Sequence, residues 1–209
     1  MSVKSLRAEH AEATRTALLK EARRLFAARG FANVSADEIA QQARVTRGVL
    51  YHHFKDKKDL FSALCDEMGA EMSRRVEEAA MPLAEKDPWA AMFAGIGAFL
   101  DACMEGDFHR IVILDAPSVD GWQEWRNHAE MHELGLIKMG LQLLMDAGQM
   151  RTQPIDTLSW MVFAILNEGA MLIAHADDRA KARREVGETI QGLLEGLRQT
   201  PKSRKTSRP

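Results

Sequence analysis

A chain of 209 residues with 46% hydrophobic and 28% charged side chains is long enough to bury a core without staples and too apolar to remain disordered. Its charge is uneven: residues 1–60 carry 12 Lys/Arg against 7 Asp/Glu, residues 61–197 carry 11 against 23, and the last 12 carry five basic groups and no acid. A basic head on an acidic body fits a polyanion-binding module joined to a part with another task.

Two cysteines, Cys65 and Cys103, stand in no redox or metal motif, which predicts free thiols in a reducing compartment. Residues 1–30 are charged throughout and lack an apolar leader, which predicts a cytoplasmic protein. The most apolar stretch, 158–174, holds Asn167 and Glu168 at its centre, so it reads as a core helix rather than a membrane span.

Helical periodicity runs through the chain and predicts an all-α fold: a three-helix head and a six-helix body. Residues 1–10 lack an apolar pattern and read as a loose arm. From Thr14, the residues Leu18, Leu19, Ala22, Leu25 and Phe26 form one apolar stripe, and Gly30 supplies a left-handed stop of the Schellman kind, with Phe31 packed back. Ser35-Ala36-Asp37-Glu38 is a capping box, clamped by Val34 and Ile39, that opens a short second helix ending near Ala43. Thr46 caps a third, Arg47 to His53. A fourth starts at Asp56 and runs to about Ala80, where Pro82 closes it. Further helices are expected over 88–103, 108–114, 122–145, 154–175 and 178–197, with Gly148 and Asp177-Asp178 as punctuation. The basic tail, 200–209, reads as disordered. These elements divide the chain into a head, 1–60, and a body, 61–199.

Two short helices joined by Ala43-Arg44-Val45 fit a helix-turn-helix, whose second helix enters the major groove. Leu50 and Phe54, four apart, face inward. Arg47, Gly48, Val49, Tyr51 and His52 then present the base-facing surface, with Gly48 allowing close approach. Thr46, His53 and Lys57 are placed to hold phosphates, the amino end of the fourth helix adds backbone donors, and Ser35 and Arg44 lie on the same surface.

The run Leu18-Leu19-Lys20-Glu21-Ala22, Leu25-Phe26-Ala27-Ala28-Arg29-Gly30-Phe31, Val34-Ser35, Ile39-Ala40, Val45-Thr46, Gly48, Leu50-Tyr51, His53-Phe54, Lys57 and Leu60-Phe61 resembles the DNA-binding domain of the TetR family. The resemblance covers roughly residues 14–65 and implies a homodimer, a two-fold symmetric operator and a C-terminal domain whose ligand loosens DNA binding. Arg44 departs from the family's usual glycine in the turn, which implies a strained backbone there. Weaker likeness to TetR-type C-terminal domains lies in 110–117, Gly121-Trp122, Trp125-Arg126, Asn167-Glu168-Gly169-Ala170 and Ala176-Asp177-Asp178.

In the body, Met92, Phe93, Ile96 and Phe99 form a wide apolar surface. With Trp122, Met139, Leu143, Trp160, Phe163 and Met171 they suit a loosely specific apolar effector, and Asn167 or Glu168 would supply its polar contact. Helices near 154–175 and 178–199 are expected to pair with their symmetry mates, with Val186, Ile190, Leu193, Leu194 and Leu197 on one face. His128 and His132 share a helix face, but no third ligand accompanies them, so they read as a solvated pair. No metal or cofactor is called for, and no nucleophile elbow, phosphate loop or dinucleotide fingerprint points to an enzyme. The expectation is a ligand-released repressor acting on double-stranded operator DNA. The alternative is a regulator without a small inducer, governed by a partner protein or by its own concentration.

Overall fold

The computed structural model describes residues 3–199; the side chains of residues 3–7, 122 and 125 and the basic tail 200–209 lie outside that description. The fold is all-α, as the periodicity predicts. Helix α1 (Val3–Arg29) carries its apolar stripe into a core with Leu18, Leu19, Ala22, Leu25 and Phe26 buried. The expected loose arm is part of this helix, since residues 3–10 hold neither Gly nor Pro and include good helix formers. Gly30 ends α1 at φ 77 and ψ 161, which is not the left-handed helical conformation. The Schellman ending is therefore absent. Phe31 donates its N–H to Asp115 Oδ2 at 2.7 Å instead of to a helix carbonyl, while its ring packs 5.7 Å from Phe26 and 4.9 Å from Phe61.

A short 3₁₀ turn (Phe31–Asn33) leads into α2 (Ala36–Gln42) and α3 (Arg47–His53). Helix α4 (Lys57–Ala84) passes through Pro82 rather than stopping before it; so near the helix end the proline removes only one terminal bond. Helix α5 spans Pro88–Ala102. The expected single helix over 108–114 is α6 (Gly106–Phe108), a π-helical turn (His109–Asp115) and α7 (Ala116–Asp120) in succession. The expected long helix over 122–145 is broken at Glu133 into α8 (Trp122–His132) and α9 (Leu134–Asp146), with helix-weakening Gly135 just beyond. Helices α10 (Ile155–His175) and α11 (Arg179–Glu195) complete the described chain, and Asp178 caps α11 by accepting from Lys181 N–H.

The chain forms two compact units, and the division is not the one expected at residue 60. Residues up to 72 group with 102–132, and 73–101 group with residues from 133 on, so α4 contributes to both. Polar links explain why 102–132 belongs with the head. Arg23 of α1 donates from Nε to Asp107 at 2.6 Å and from Nη1 to Glu71 at 2.9 Å. Burial pulls the Arg23 guanidinium down, but its bonds to Asp107 and Glu71 outweigh that and leave it raised. Arg110 packs over Gly30, where a Cβ would lie 2.1 Å from its Nη2.

The histidines are not a solvated pair. His128 Nδ1 lies 2.7 Å from Asp66 Oδ1, His132 Nε2 lies 3.3 Å from the same oxygen, and His128 Nε2 faces Asp120 Oδ2 at 3.7 Å. The Asp120 side chain is wholly buried, its other oxygen accepting from Ser62 Oγ at 2.8 Å while its main-chain carbonyl accepts from Lys58. An imidazolium has a donor for each carboxylate, whereas a neutral ring has one.

In the second unit, Gly169 brings α10 close to α11: a Cβ there would lie 2.7 Å from Val186 Cγ1 and 3.3 Å from Ile190 Cδ1. Helix α10 is long and apolar enough to cross a membrane by length and composition, but it packs against α9 and α11. Of the apolar residues expected on one face of the last helix, Ile190 and Leu194 are buried within the chain, Val186 and Leu197 are partly covered, and Leu193 is exposed.

The His128 site sets a pH dependence. Its bond to Asp66 chiefly, and the charges of Asp66, Asp120 and Glu124, hold its pKa above the ordinary 6.5 against the opposing effect of burial. A raised folded-state pKa gives stability that is complete below the unfolded value and is lost as pH rises through the folded one. Thermal melts from about pH 6 to about pH 9 should therefore show a larger fall for the natural protein than for His128→Gln. Parallel falls in the two proteins would contradict it.

Candidate nucleic-acid interface

Helix α2 starts because Ser35 Oγ accepts from Glu38 N–H at 3.2 Å, and α3 starts because Thr46 Oγ1 accepts from Val49 N–H at 3.3 Å. Between them, α2 ends in the Schellman pattern: Val45 N–H reaches Ala40 O at 3.0 Å and Arg44 N–H reaches Gln41 O at 3.1 Å. That pattern needs a left-handed residue, and Arg44 adopts it at φ 58, the one non-glycine residue with positive φ among those described.

Leu50 and Phe54 are buried, which turns the opposite face of α3 outward. Ser35, Arg44, Thr46, Arg47, Gly48, Tyr51 and His52 are exposed, and Val49, His53 and Lys57 are partly covered. Gly48 stands open, with only Thr46 Oγ1 within 4 Å of where a Cβ would be. Arg47 donates to Asp37 Oδ2 at 2.8 Å and its guanidinium carbon sits 5.3 Å from the Tyr51 ring centre. The His52 and His53 rings meet edge to face at 5.6 Å.

Two assignments are qualified. The Lys57 ammonium, read from sequence as a phosphate anchor, donates to Phe31 O and Val34 O, each at 2.9 Å, and lies 4.0 Å from the Phe31 ring centre. Partial burial holds its pKa below the ordinary lysine value. Lys57 is first a clamp on the α1–α2 connection, with one of its three N–H donors remaining. At the amino end of α4, Asp59 N–H donates to Asp56 Oδ1 and Asp59 Oδ2 accepts from Lys55 N–H, both at 2.8 Å, so two of the backbone donors there already meet carboxylates.

The body candidates separate. Met92 reaches across to α9, its Cε 2.8 Å from where a Cβ on Gly140 would stand. Ile96 and Phe163 are buried; Phe93, Phe99, Trp160 and Met171 are partly covered. Phe93 packs 5.6 Å from Trp89, and Trp160 and Phe163 meet edge to face at 5.6 Å. Met139 and Leu143 are instead exposed on the outer face of α9, because the neighbouring Ile137, Leu141 and Leu144 occupy its buried face. Glu168 is exposed, and Asn167 satisfies itself by donating to Phe163 O at 3.0 Å. The Trp122 side chain lies outside the described residues.

Comparison with known proteins places both halves. Residues 18–64 match the family described as bacterial regulatory proteins, tetR family, and residues 89–197 match a family described as a tetracyclin repressor-like C-terminal domain. The Transposon Tn10 TetC protein of Escherichia coli is 29% identical over 202 residues, covering 95% of this chain and 99% of its own. The transcriptional regulator AcrR of Shigella flexneri is 50% identical over 56 residues, 27% of this chain and 26% of its own. A TetR-family regulator of Pectobacterium atrosepticum has a crystal structure that superposes with a TM-score of 0.79 at 30% identity, covering 93% of this chain and 98% of its own. FadR of Bacillus subtilis, solved with stearoyl-CoA, shares the fold at TM-score 0.70 and 17% identity, covering 86% and 96%.

The turn and the clamp make opposite predictions in one melting experiment. Arg44→Gly relieves a left-handed non-glycine residue and should raise stability by about 1 kcal/mol, a Tm gain of about 2–4 °C. Lys57→Met removes the ammonium that both the Phe31 and Val34 carbonyls accept from and should lower Tm, whereas a lysine serving only DNA would leave Tm unchanged.

Proposed function

This chain belongs to the TetR family of bacterial regulatory proteins, and we propose that it is a homodimeric repressor that leaves a palindromic operator when a small, mostly apolar molecule binds its body. As a DNA-binding transcription regulator it acts in the cytoplasm through contacts rather than through catalysis. The observation that carries the reading is α3, whose buried Leu50 and Phe54 force Arg47, Gly48, Tyr51 and His52 outward onto one open surface. Thr46, His53 and the remaining donor of Lys57 border that surface as phosphate contacts, with Ser35 and Arg44 beside them.

An apolar stripe supports dimerisation. On α10, Met161 and Leu172 are 59% and 56% exposed with Glu168 between them, and on α11 Leu193 is 54% exposed. Spacings of seven and four residues along α10 place the three on one face. Such a stripe meeting its own copy is an isologous contact, and binding of the dimer to one operator requires its two recognition helices to sit about 34–36 Å apart or a multiple of that.

The effector reading rests on Met92, Phe93, Ile96, Phe99, Trp160, Phe163 and Met171, all contributed by the second compact unit. Asn167, partly covered and bonded to Phe163 O, would supply the polar contact. A ligand acts here only through its different affinity for the operator-bound and released states, and a coupling of about 1–3 kcal/mol changes operator affinity some 5- to 150-fold.

Selection of bound sequences from random duplex DNA should yield a palindrome, and a compound screen against that site should yield molecules that release it. A protein that is monomeric at micromolar concentration and enriches no sequence would overturn the reading. Met161→Glu with Leu172→Glu should give a folded monomer whose operator affinity is about a hundredfold or more below that of the dimer, because the second half-site is no longer engaged from the same molecule.

A further inference from the structure

The exposed ion pair between α2 and α3 has a geometry that ordinary surface pairs lack. Arg47 is the first residue of α3, at the end of a recognition helix that approaches base edges. Its guanidinium is held twice: Nη1 donates to Asp37 Oδ2 at 2.8 Å, and the Tyr51 ring lies one helical turn on, its centre 5.3 Å from the guanidinium carbon. Both side chains of the pair are more than half exposed, so the bond itself contributes little to stability. It does contribute direction. A free arginine side chain samples many rotamers, and two fixed contacts remove most of that freedom before any DNA arrives.

The guanidinium is planar, so the bond at Nη1 leaves its Nε–Nη2 edge as a second fork of parallel donors. In the major groove the feature that accepts two such donors is the O6 and N7 edge of guanine. Asp37 is a carboxylate beside a surface meant for a polyanion, and its charge weakens binding to every sequence alike. We infer that Arg47 reads one guanine in each half-site and that Asp37, with the Tyr51 ring, is the positioning element that aims it. The inference rests on operator recognition by α3 and adds to it the identity of one base and a role for a residue of α2. Asp37 was not among the residues that sequence reading placed at the interface, because nothing local shows that a side chain ten positions away closes on Arg47.

Substitution at Asp37 and at Arg47 should separate aim from attraction. Sequence selection from random duplex DNA is run with the natural full-length protein and with Arg47→Lys, Arg47→Ala and Asp37→Asn. The natural protein should require guanine at one symmetric position, favouring it roughly ten- to a hundredfold over other bases. Arg47→Lys should keep affinity for random DNA and lose preference at that position alone. Asp37→Asn should bind random DNA more tightly and discriminate less at the same position. A residue that merely held the fold would lower both quantities and the melting temperature together. If Arg47→Ala and the natural protein select the same motif, or if Asp37→Asn leaves discrimination intact, the inference is wrong. If the natural protein selects no motif at all, the operator reading itself fails.

Discussion

A helix of seven residues is unstable in water, and everything this protein does with DNA depends on burial making one anyway. Helix α3 has too few internal hydrogen bonds to offset the ordering of its backbone, so its existence rests on the burial of Leu50 and Phe54, in a head whose core also holds Leu18, Leu19, Ala22 and Phe26 of α1. The same burial sets its rotation, because once two residues four apart face inward, the intervening ones face out. The Phe26, Phe31 and Phe61 rings meet at 4.9–5.7 Å and tie the end of α1 to the start of α4 around this core. Stability and recognition are therefore one constraint seen from two sides of the same short helix.

Around that core, backbone groups are satisfied by unusual means. The α2–α3 turn uses Arg44 in a conformation that glycine adopts at lower cost, and the Schellman bonds of Val45 and Arg44 hold it there. The α1–α2 connection uses the Lys57 ammonium as a donor to the Phe31 and Val34 carbonyls, adding to a long bond from Val34 N–H at the first of them. Both devices place a cation at the edge of the DNA-facing surface, so groups that repair the fold also raise its positive potential.

Beyond the head, segment 106–132 is joined to residues of α1, the 3₁₀ turn and α4 by polar bonds: Arg23 to Asp107, Phe31 N–H to Asp115, Lys58 and Ser62 to Asp120, and Asp66 to His128. Asp66 and Asp107 are both held below the ordinary carboxylate range, since burial alone would raise them but their histidine and arginine partners outweigh it. A half-buried charge that kept only one partner would be costly, so these links favour one arrangement of the segment against the head. In the second unit, specificity of packing comes from small residues instead: Gly169 lets α11 close on α10, and Gly140 receives the Met92 side chain.

The sequence by itself determined what depends on near neighbours. Apolar spacing placed the helices, the Ser35, Thr46 and Asp178 caps fall where they were read, and the inward turn of Leu50 and Phe54 followed from their separation of four. The helix-turn-helix was legible because caps, turn and core positions lie within one short window. Only tertiary structure decided the partners of polar groups: the commitment of Lys57 to Phe31 and Val34, the pairing of Asp37 with Arg47, the capture of His128 and His132 by Asp66, and the outward placing of Met139, Leu143 and Glu168. The reason is one of range. Helix periodicity and capping are set by residues three or four apart, whereas a long charged side chain goes to whichever opposite charge or bare carbonyl the folded chain brings within about 3 Å. For Asp66 and His128 that partner lies 62 positions away, where no local pattern records it.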